Sequence, residues 1–307
     1  MDETGAVVQT SVNNKYTITK SELSKWPIFR SIKKSLKISY LMVFSAIDIS
    51  KHGEGLGAFV VTDDDNVYGF GLNTDEKLLG LSADDVEVPT KIDNLCCKKI
   101  FKIVVGVYQG VALSENGSVF VWNGESEPSL FDLDSPAVDI ACGSDFFLIL
   151  TKGSNVHLSG KISAGHSSVK NEKISLPEAV KVKSIECGEW HVALVCAVGD
   201  VYTFGDDIHS QLGYVREYYF NSDPYKAERV ALPWPCRKAV CGVTSTHYLL
   251  ENGEIYANGS NAKFELLGVG HENYVVHPEK VVIPEPAVDL AAVIRYNKSG
   301  KECVCLL

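Results

Sequence analysis

Apolar and polar positions along this chain fall into two recurring textures. Runs in which every residue is apolar, such as Phe146-Phe147-Leu148-Ile149-Leu150 and Val192-Ala193-Leu194-Val195, read as short strands buried on both faces. Runs such as Val119-Phe120-Val121-Trp122 and Val201-Tyr202-Thr203-Phe204 mix β-branched and aromatic residues, which suits a pleated, half-buried surface. Between runs sit Asn116-Gly117, Lys152-Gly153, Gly199-Asp200 and Asn252-Gly253. Dipeptides of this kind supply the positive φ angles of a tight turn, so each pair of runs predicts an antiparallel hairpin.

The hairpin is one phrase used five times. It reads Gly53 to Gly71, Gly106 to Gly124, Gly143 to Gly160, Gly188 to Gly205 and Gly242 to Gly259, and the last glycines lie 53, 36, 45 and 54 residues apart. Repetition at such a period indicates a propeller, a solenoid or an array. No copy holds the ten or more residues of 3.6 periodicity that a helical array needs, so an all-β ring of blades is expected. The closing glycine of each copy removes a side chain where backbones crowd. Ahead of the repeats, Ser24 and Pro27 read as the start of a short N-terminal helix. Ile28, Ile32 and Leu36 mark its apolar face, and Arg30, Lys33, Lys34 and Lys37 lie on others. The resulting division is a disordered tail at 1–20, a helical cap and lead-in strand at 21–46, and a single propeller domain at 47–307.

Composition changes this picture little. The 307 residues and 45% hydrophobic content suit a globular chain with a sizeable core. Of nine cysteines, Cys142, Cys187 and Cys241 sit just before a repeat glycine, where a small apolar side chain would pack. No CxxC occurs, and Cys303 and Cys305 form only a CxC, so no metal is expected. The N-terminus lacks a signal-peptide pattern, and Ile38 to Ile49 is too short to span a bilayer. A monomer in the cytoplasm or nucleus, away from membranes, is expected. The net charge is −10, yet residues 1–46 carry +4, leaving −14 for the rest. A repeat body that acidic is a poor counterion-releasing surface, which disfavours direct nucleic-acid binding.

The residues also resemble a known repeat. Cys187-Gly188-Glu189-Trp190-His191-Val192-Ala193-Leu194, then Gly199-Asp200-Val201-Tyr202-Thr203-Phe204-Gly205, then Ser210-Gln211-Leu212-Gly213, is similar to the regulator of chromosome condensation repeat, roughly CGxxHxxAL, GxVYxWG and xQLG. Lys25-Trp26-Pro27-Ile28-Phe29 ahead of Val67-Tyr68-Gly69-Phe70-Gly71-Leu72-Asn73 resembles the subfamily that joins these repeats to a BTB domain, which this chain lacks. The resemblance implies a β-propeller of four-stranded blades, usually seven. Five copies and a partial sixth predict five or six blades here, closed by the N-terminal segment Ile38 to Ile49. The linking Leu-Gly survives at Leu79-Gly80, Leu212-Gly213 and Leu267-Gly268 but not after copies two and three. The family's histidine survives only as His191, read as a core residue bonded to a neighbouring blade.

Catalytic motifs are missing. There is no GxSxG elbow, HExxH helix or GxxxxGK[ST] loop, and Gly53-Glu54-Gly55-Leu56-Gly57 lacks the helix of a dinucleotide site. Asp63-Asp64-Asp65-Asn66 reads as a hairpin turn rather than a calcium loop. No catalytic residue and no cofactor is expected. The candidate surface is the long insertion from Asp206 to Pro235, with Tyr214, Arg216, Tyr218, Tyr219, Phe220, Tyr225, Arg229 and Trp234 as partner-binding residues. These residue types dominate interface energetics. The expected role is a non-catalytic protein-interaction scaffold or adaptor working through a propeller rim. Two alternatives follow from the resemblance: a guanine-nucleotide exchange factor for a Ran-like small GTPase, and a substrate receptor or competitor related to BTB-type cullin ubiquitin-ligase adaptors. Its partners would be proteins, with a small GTPase or a ubiquitin-ligase component among them.

Overall fold

A computed structural model describes residues 6–11, 14–18, 29, 37–48, 53–73, 77–83, 85–163, 166–216, 223–261, 267–271, 274–293 and 303–306. They group into two compact units, chiefly 1–140 and 141–295, with the division inside one strand. The fold is a β-propeller whose blades are consecutive antiparallel sheets. In the first unit, β1 (Ala6–Ser11), β2 (Asn14–Ile18), β3 (Ile38–Asp48), β4 (Gly53–Thr62), β5 (Val67–Leu72) and β6 (Asp85–Lys91) form one sheet in the order β2-β1-β3-β4-β5-β6. A second contains β7 (Ile100–Val105), β8 (Gln109–Ser114), β9 (Val119–Asn123) and β10 (Ser126–Phe131).

Three further four-stranded sheets follow in chain order. They are β11 (Ala137–Cys142) to β14 (Val169–Lys173) through β12 (Asp145–Thr151) and β13 (Val156–Lys161); β15 (Val182–Cys187), β16 (His191–Cys196), β17 (Val201–Gly205) and β18 (Glu228–Arg229); and β19 (Cys236–Cys241), β20 (Ser245–Leu250), β21 (Ile255–Gly259) and β22 (Val275–Lys280). The last described pair, β23 (Leu290–Val293) and β24 (Cys303–Leu306), makes a two-stranded sheet. No helix among the described residues is long and apolar enough to cross a membrane.

The N-terminal region departs from the sequence reading in two ways. Residues 6–11 and 14–18, expected as tail, form the β1–β2 hairpin, and β1 meets β3 in parallel at Val8 and Leu41. The segment expected to close the ring with the last residues instead pairs with its chain neighbour, from Ile38 opposite Thr62 to Asp48 opposite Gly53. A strand that can turn back on the next one closes a short loop, and short loops cost the least entropy. The predicted helix lies outside the described residues except for Phe29, a buried residue whose ring meets Phe70 edge-on at 5.7 Å.

Burial follows the two textures. The second strands β16 and β20 are buried at every position and β12 at every position but its first, whereas the fourth strands β10 and β14 are mostly open. All five hairpins share one turn, in which three residues separate a bonded pair: Thr62 and Asn66, Ser114 and Ser118, Thr151 and Asn155, Cys196 and Asp200, Leu250 and Glu254. The last of the three is left-handed, and its occupants are Asp65, Gly117, Ser154, Gly199 and Gly253. In copy three the positive φ therefore falls on Ser154 and not on Gly153, because the loop has three residues rather than two.

The closing glycines have a steric cause. Gly205 sits at φ +114° opposite His191, and a β-carbon there would meet the Trp190 carbonyl oxygen at 2.5 Å. Copy two solves the same corner differently. Asn123 takes that position, opposite Gln109, and its side-chain oxygen accepts from Glu125 N at 3.1 Å and Ser126 Oγ at 2.8 Å. Gly124 follows in the turn, which carries the chain straight into β10 and accounts for the short spacing that follows.

Candidate functional site

The copies that keep Leu-Gly share a small loop built on one side chain. Asn73 Oδ1 accepts from Leu79 N, Asp207 Oδ1 from Leu212 N and Asn261 Oδ1 from Leu267 N, at 2.9, 3.0 and 3.0 Å. Each leucine is buried. In the second unit this loop is fixed by the next sheet, since Thr246 Oγ1 donates to the Gln211 carbonyl at 2.7 Å and Asn258 Nδ2 to that of Ser210 at 2.8 Å. His191 lies in the same network, its Nε2 2.9 Å from Thr246 Oγ1. Thr246 already donates to Gln211, so the histidine is the donor and is neutral at Nδ1. Burial lowers its pKa to about 4, opposed by the Ser245 backbone. The side chain joins one blade to the next, and its ring carbon fills the space a β-carbon on Gly188 would need.

The insertion after β17 thus leaves a rigid base, and its aromatic residues separate into two groups. Tyr214 turns inward, donating to the Thr203 carbonyl at 3.1 Å, and burial pushes its hydroxyl up to about 12. Tyr225 packs on the blade core and donates to the Ser167 carbonyl at 3.1 Å. Arg216 is half-buried and close enough to Tyr214 to favour its ionised form. Tyr218, Tyr219 and Phe220 lie outside the described residues. Arg229 and Trp234 are the pair that faces outward together.

They line a groove of about 160 Å³ with Val198, Asp200, Leu232 and Pro233 among its walls. Trp234 is 58% exposed and Val198 75%. Arg229 Nη2 donates to Asp200 at 2.6 Å in a solvent-facing ion pair, a geometry that contributes little to stability but holds the guanidinium in place. The groove exists because the hairpin turn leans on the proline ahead of the next sheet. A β-carbon on Gly199 would meet Pro235 Cβ at 2.4 Å, and Gly199 O accepts from Cys236 N at 2.8 Å. Gly117 with Pro136 and Gly253 with Pro286 repeat the contact.

Sequence reasoning placed the Gly199-Asp200 turn but missed Val198 and Asp200 as residues of the groove. The signal was present in the alignment of the copies: where the other turns have Asp63-Asp64, Glu115-Asn116, Lys152-Gly153 and Glu251-Asn252, copy four has Ala197-Val198. A groove this small is below the roughly 300–1,000 Å³ of small-molecule sites, and its walls hold no convergent acid, base and nucleophile. Among the described residues no group of three or more His, Cys, Asp or Glu side chains is placed to hold a metal ion. The Asp64 carboxylate serves its own turn, accepting from Thr62 Oγ1 at 2.5 Å, and that of Asp65 accepts from Lys99 N at 2.9 Å, just ahead of the next sheet.

No family model matches the chain. Among curated proteins it is 28% identical over 226 residues to the human probable E3 ubiquitin-protein ligase HERC3, a match that covers 65% of this chain and 21% of that protein. The chain thus spans about a fifth of that relative's length. Among solved structures, Prp20p from Saccharomyces cerevisiae, described together with its binding to Gsp1p and histones, superposes with a TM-score of 0.64 at 19% identity, over 78% of this chain and 64% of that one. Human WBSCR16 gives 0.62 at 16% identity, over 78% and 68%. Four-stranded antiparallel sheets in sequence and these likenesses agree on the fold: the chain is a β-propeller, and its repeats resemble those of the regulator of chromosome condensation.

Proposed function

We propose that the protein is a non-catalytic interaction scaffold that binds another protein through the face carrying the copy-four hairpin turn. The observation that carries this reading is the outward pair Arg229 and Trp234, set on a turn and a proline that the blade holds rigidly. Exposed tryptophan and arginine on a fixed scaffold are the residue types that supply binding energy at interfaces. Replacing both with alanine should remove co-purifying partners and leave the melting curve unchanged. Retention of every partner would overturn the proposal.

A second reading is favoured by the likeness to Prp20p, whose structure is described with its binding to Gsp1p. On this reading the propeller is a guanine-nucleotide exchange factor for a Ran-like GTPase, which needs a surface that distorts a nucleotide pocket rather than catalytic side chains. Release of a fluorescent guanine nucleotide from a panel of small GTPases tests it, and rates equal to spontaneous release refute it. The match to a ubiquitin-ligase relative supports a third reading, a substrate receptor for such a ligase. Absence of ligase components from affinity-purified material would count against it.

A further inference from the structure

The five hairpin turns provide an internal control for what the fold needs. In copies one, two and five the second loop residue is Asp64, Asn116 or Asn252, and each makes local bonds. Asn116 Oδ1 accepts from Ser118 N at 3.0 Å, Asn252 Oδ1 from Glu254 N at 3.0 Å, and Asp64 from Asn66 Nδ2 at 2.8 Å. Such side-chain caps are why Asn and Asp prefer turns. Val198 occupies this position in copy four, makes no such bond and exposes a β-branched side chain to water. The residue ahead of the packed proline shows the same exchange: Ser135 and Glu285 in their copies, Trp234 here. Two neighbouring positions, one in the turn of one blade and one ahead of the next sheet, are thus apolar where the compared copies carry polar residues.

Two lysines and one acid stand around this patch. The Lys181 carbonyl accepts from Ala197 N at 2.8 Å, which puts that exposed lysine beside the apolar turn. Lys183, also exposed, is near enough to Cys236 to favour its thiolate. Asp200 is spent on Arg229, and Arg237 is turned away to the Val288 carbonyl. Glu251, whose N–H donates to the Pro235 carbonyl, is the acid on the far side. In a chain of net charge −10, two lysines near a groove lined by Val198, Trp234 and the Arg229–Asp200 pair are a local excess of positive charge.

From these observations we infer that the Val198–Trp234 groove receives a short extended acidic peptide, with one aliphatic side chain laid against the indole and carboxylates reaching Lys181 and Lys183. The inference rests on the interaction-scaffold reading and names its partner's chemistry. The groove has room for a side chain and not for a nucleotide, and charge complementarity sets the register of the flanking acids.

The test uses the intact chain and a fluorescein-labelled pool of nonapeptides with leucine or isoleucine at the centre and Asp or Glu on both sides. Two control pools carry Lys in place of the acids, or Ala at the centre. The acidic aliphatic pool should bind, shift tryptophan emission and weaken with added salt. W234A and the pair K181E/K183E should each weaken it about tenfold or more. V198N, which restores the turn residue of the sister copies, should weaken binding without threatening the fold. Equal binding of the lysine pool, indifference to W234A and V198N, or no binding of any pool would overturn the inference. Protein partners that depend on Trp234 while the acidic pool fails would leave the scaffold reading standing and remove only the acidic peptide.

Discussion

Asp207 should destabilise the folded protein at neutral pH, and asparagine in its place should be better. The side chain anchors the Leu212 loop as Asn73 and Asn261 anchor theirs, but it is a carboxylate, and burial raises its pKa from 3.8 to about 6 against the opposing pull of the Leu212 N–H and Arg216. An acid whose folded pKa lies above its unfolded one binds its proton more tightly when folded. Stability from this group is therefore greatest below the unfolded value, declines as pH rises from 3.8 towards 6, and stays at its low level above that. The gap between the two values caps the cost at about 3 kcal/mol. Asp207 is only partly buried, and solvent screening reduces this to about 1–2 kcal/mol. Asp207→Asn keeps the Oδ1 acceptor for Leu212 and removes the charge. Urea unfolding of both proteins across pH 4 to 8, read as the difference between them, should show the variant gaining stability as pH rises to about 6 and holding that gain above it. A difference that is flat across this range, or a variant less stable at neutral pH, would refute the reasoning.

Other expectations follow from the same contacts. His191 and His247, both held near a pKa of about 4 by burial, should stay neutral in the folded protein to about pH 5, so their contribution to stability is whole above 6.5 and is lost as pH falls below it; a ring that titrates near 6.5 by NMR would contradict this. Lys102 Nζ bonds Asp139 at 2.6 Å and the Ile140 carbonyl at 2.8 Å with both side chains largely buried, so K102M should cost about 3 kcal/mol or more, and less once D139N removes the stranded charge, as a double-mutant cycle would measure. Gly205→Ala forces a β-carbon into the Trp190 carbonyl at positive φ and should cost about 2–4 kcal/mol, whereas Gly153→Ala meets only Asn155 Nδ2 at 3.4 Å and should change stability by less than about 0.5 kcal/mol; equal effects in thermal unfolding would refute the steric account. Val198→Asn should gain about 0.5–1 kcal/mol from the restored turn bond while it weakens peptide binding, and a loss of stability would show that Val198 serves the fold after all.

Much of this fold could be read from the chain because strand burial writes itself into composition. β16 and β20 are buried on both faces and appear as continuous apolar runs, and their turns carry Gly199 and Gly253 where the backbone is left-handed. What could not be read is decided by pairing at a distance. Nothing local tells Ile38–Asp48 to join β4 rather than the last strands, and the alternation in Ala6–Ser11 is too short to separate a hairpin from a tail. The candidate surface was legible in part. Aromatic density pointed to the insertion, but density does not say which ring turns inward: Tyr214 and Tyr225 each had a backbone carbonyl within reach and took it, while Trp234, between two prolines, did not.

The irregular spacing of the repeats then acquires a physical meaning. A position that only serves the fold should carry the residue the fold rewards, and the sister copies show what that is: Asn or Asp at three of the four turns, a polar residue ahead of the packed proline, Asn at the Leu-Gly anchor. Copy two departs from the pattern at Asn123 and is compensated at once by the turn that Asn123 caps. Copy four departs at Val198, Trp234 and Asp207 and receives no compensation within its own blade that would offset an exposed valine, an exposed indole and a half-buried carboxylate. The proposed binding would account for departures of this kind, since free energy missing from the folded chain can be recovered in a complex.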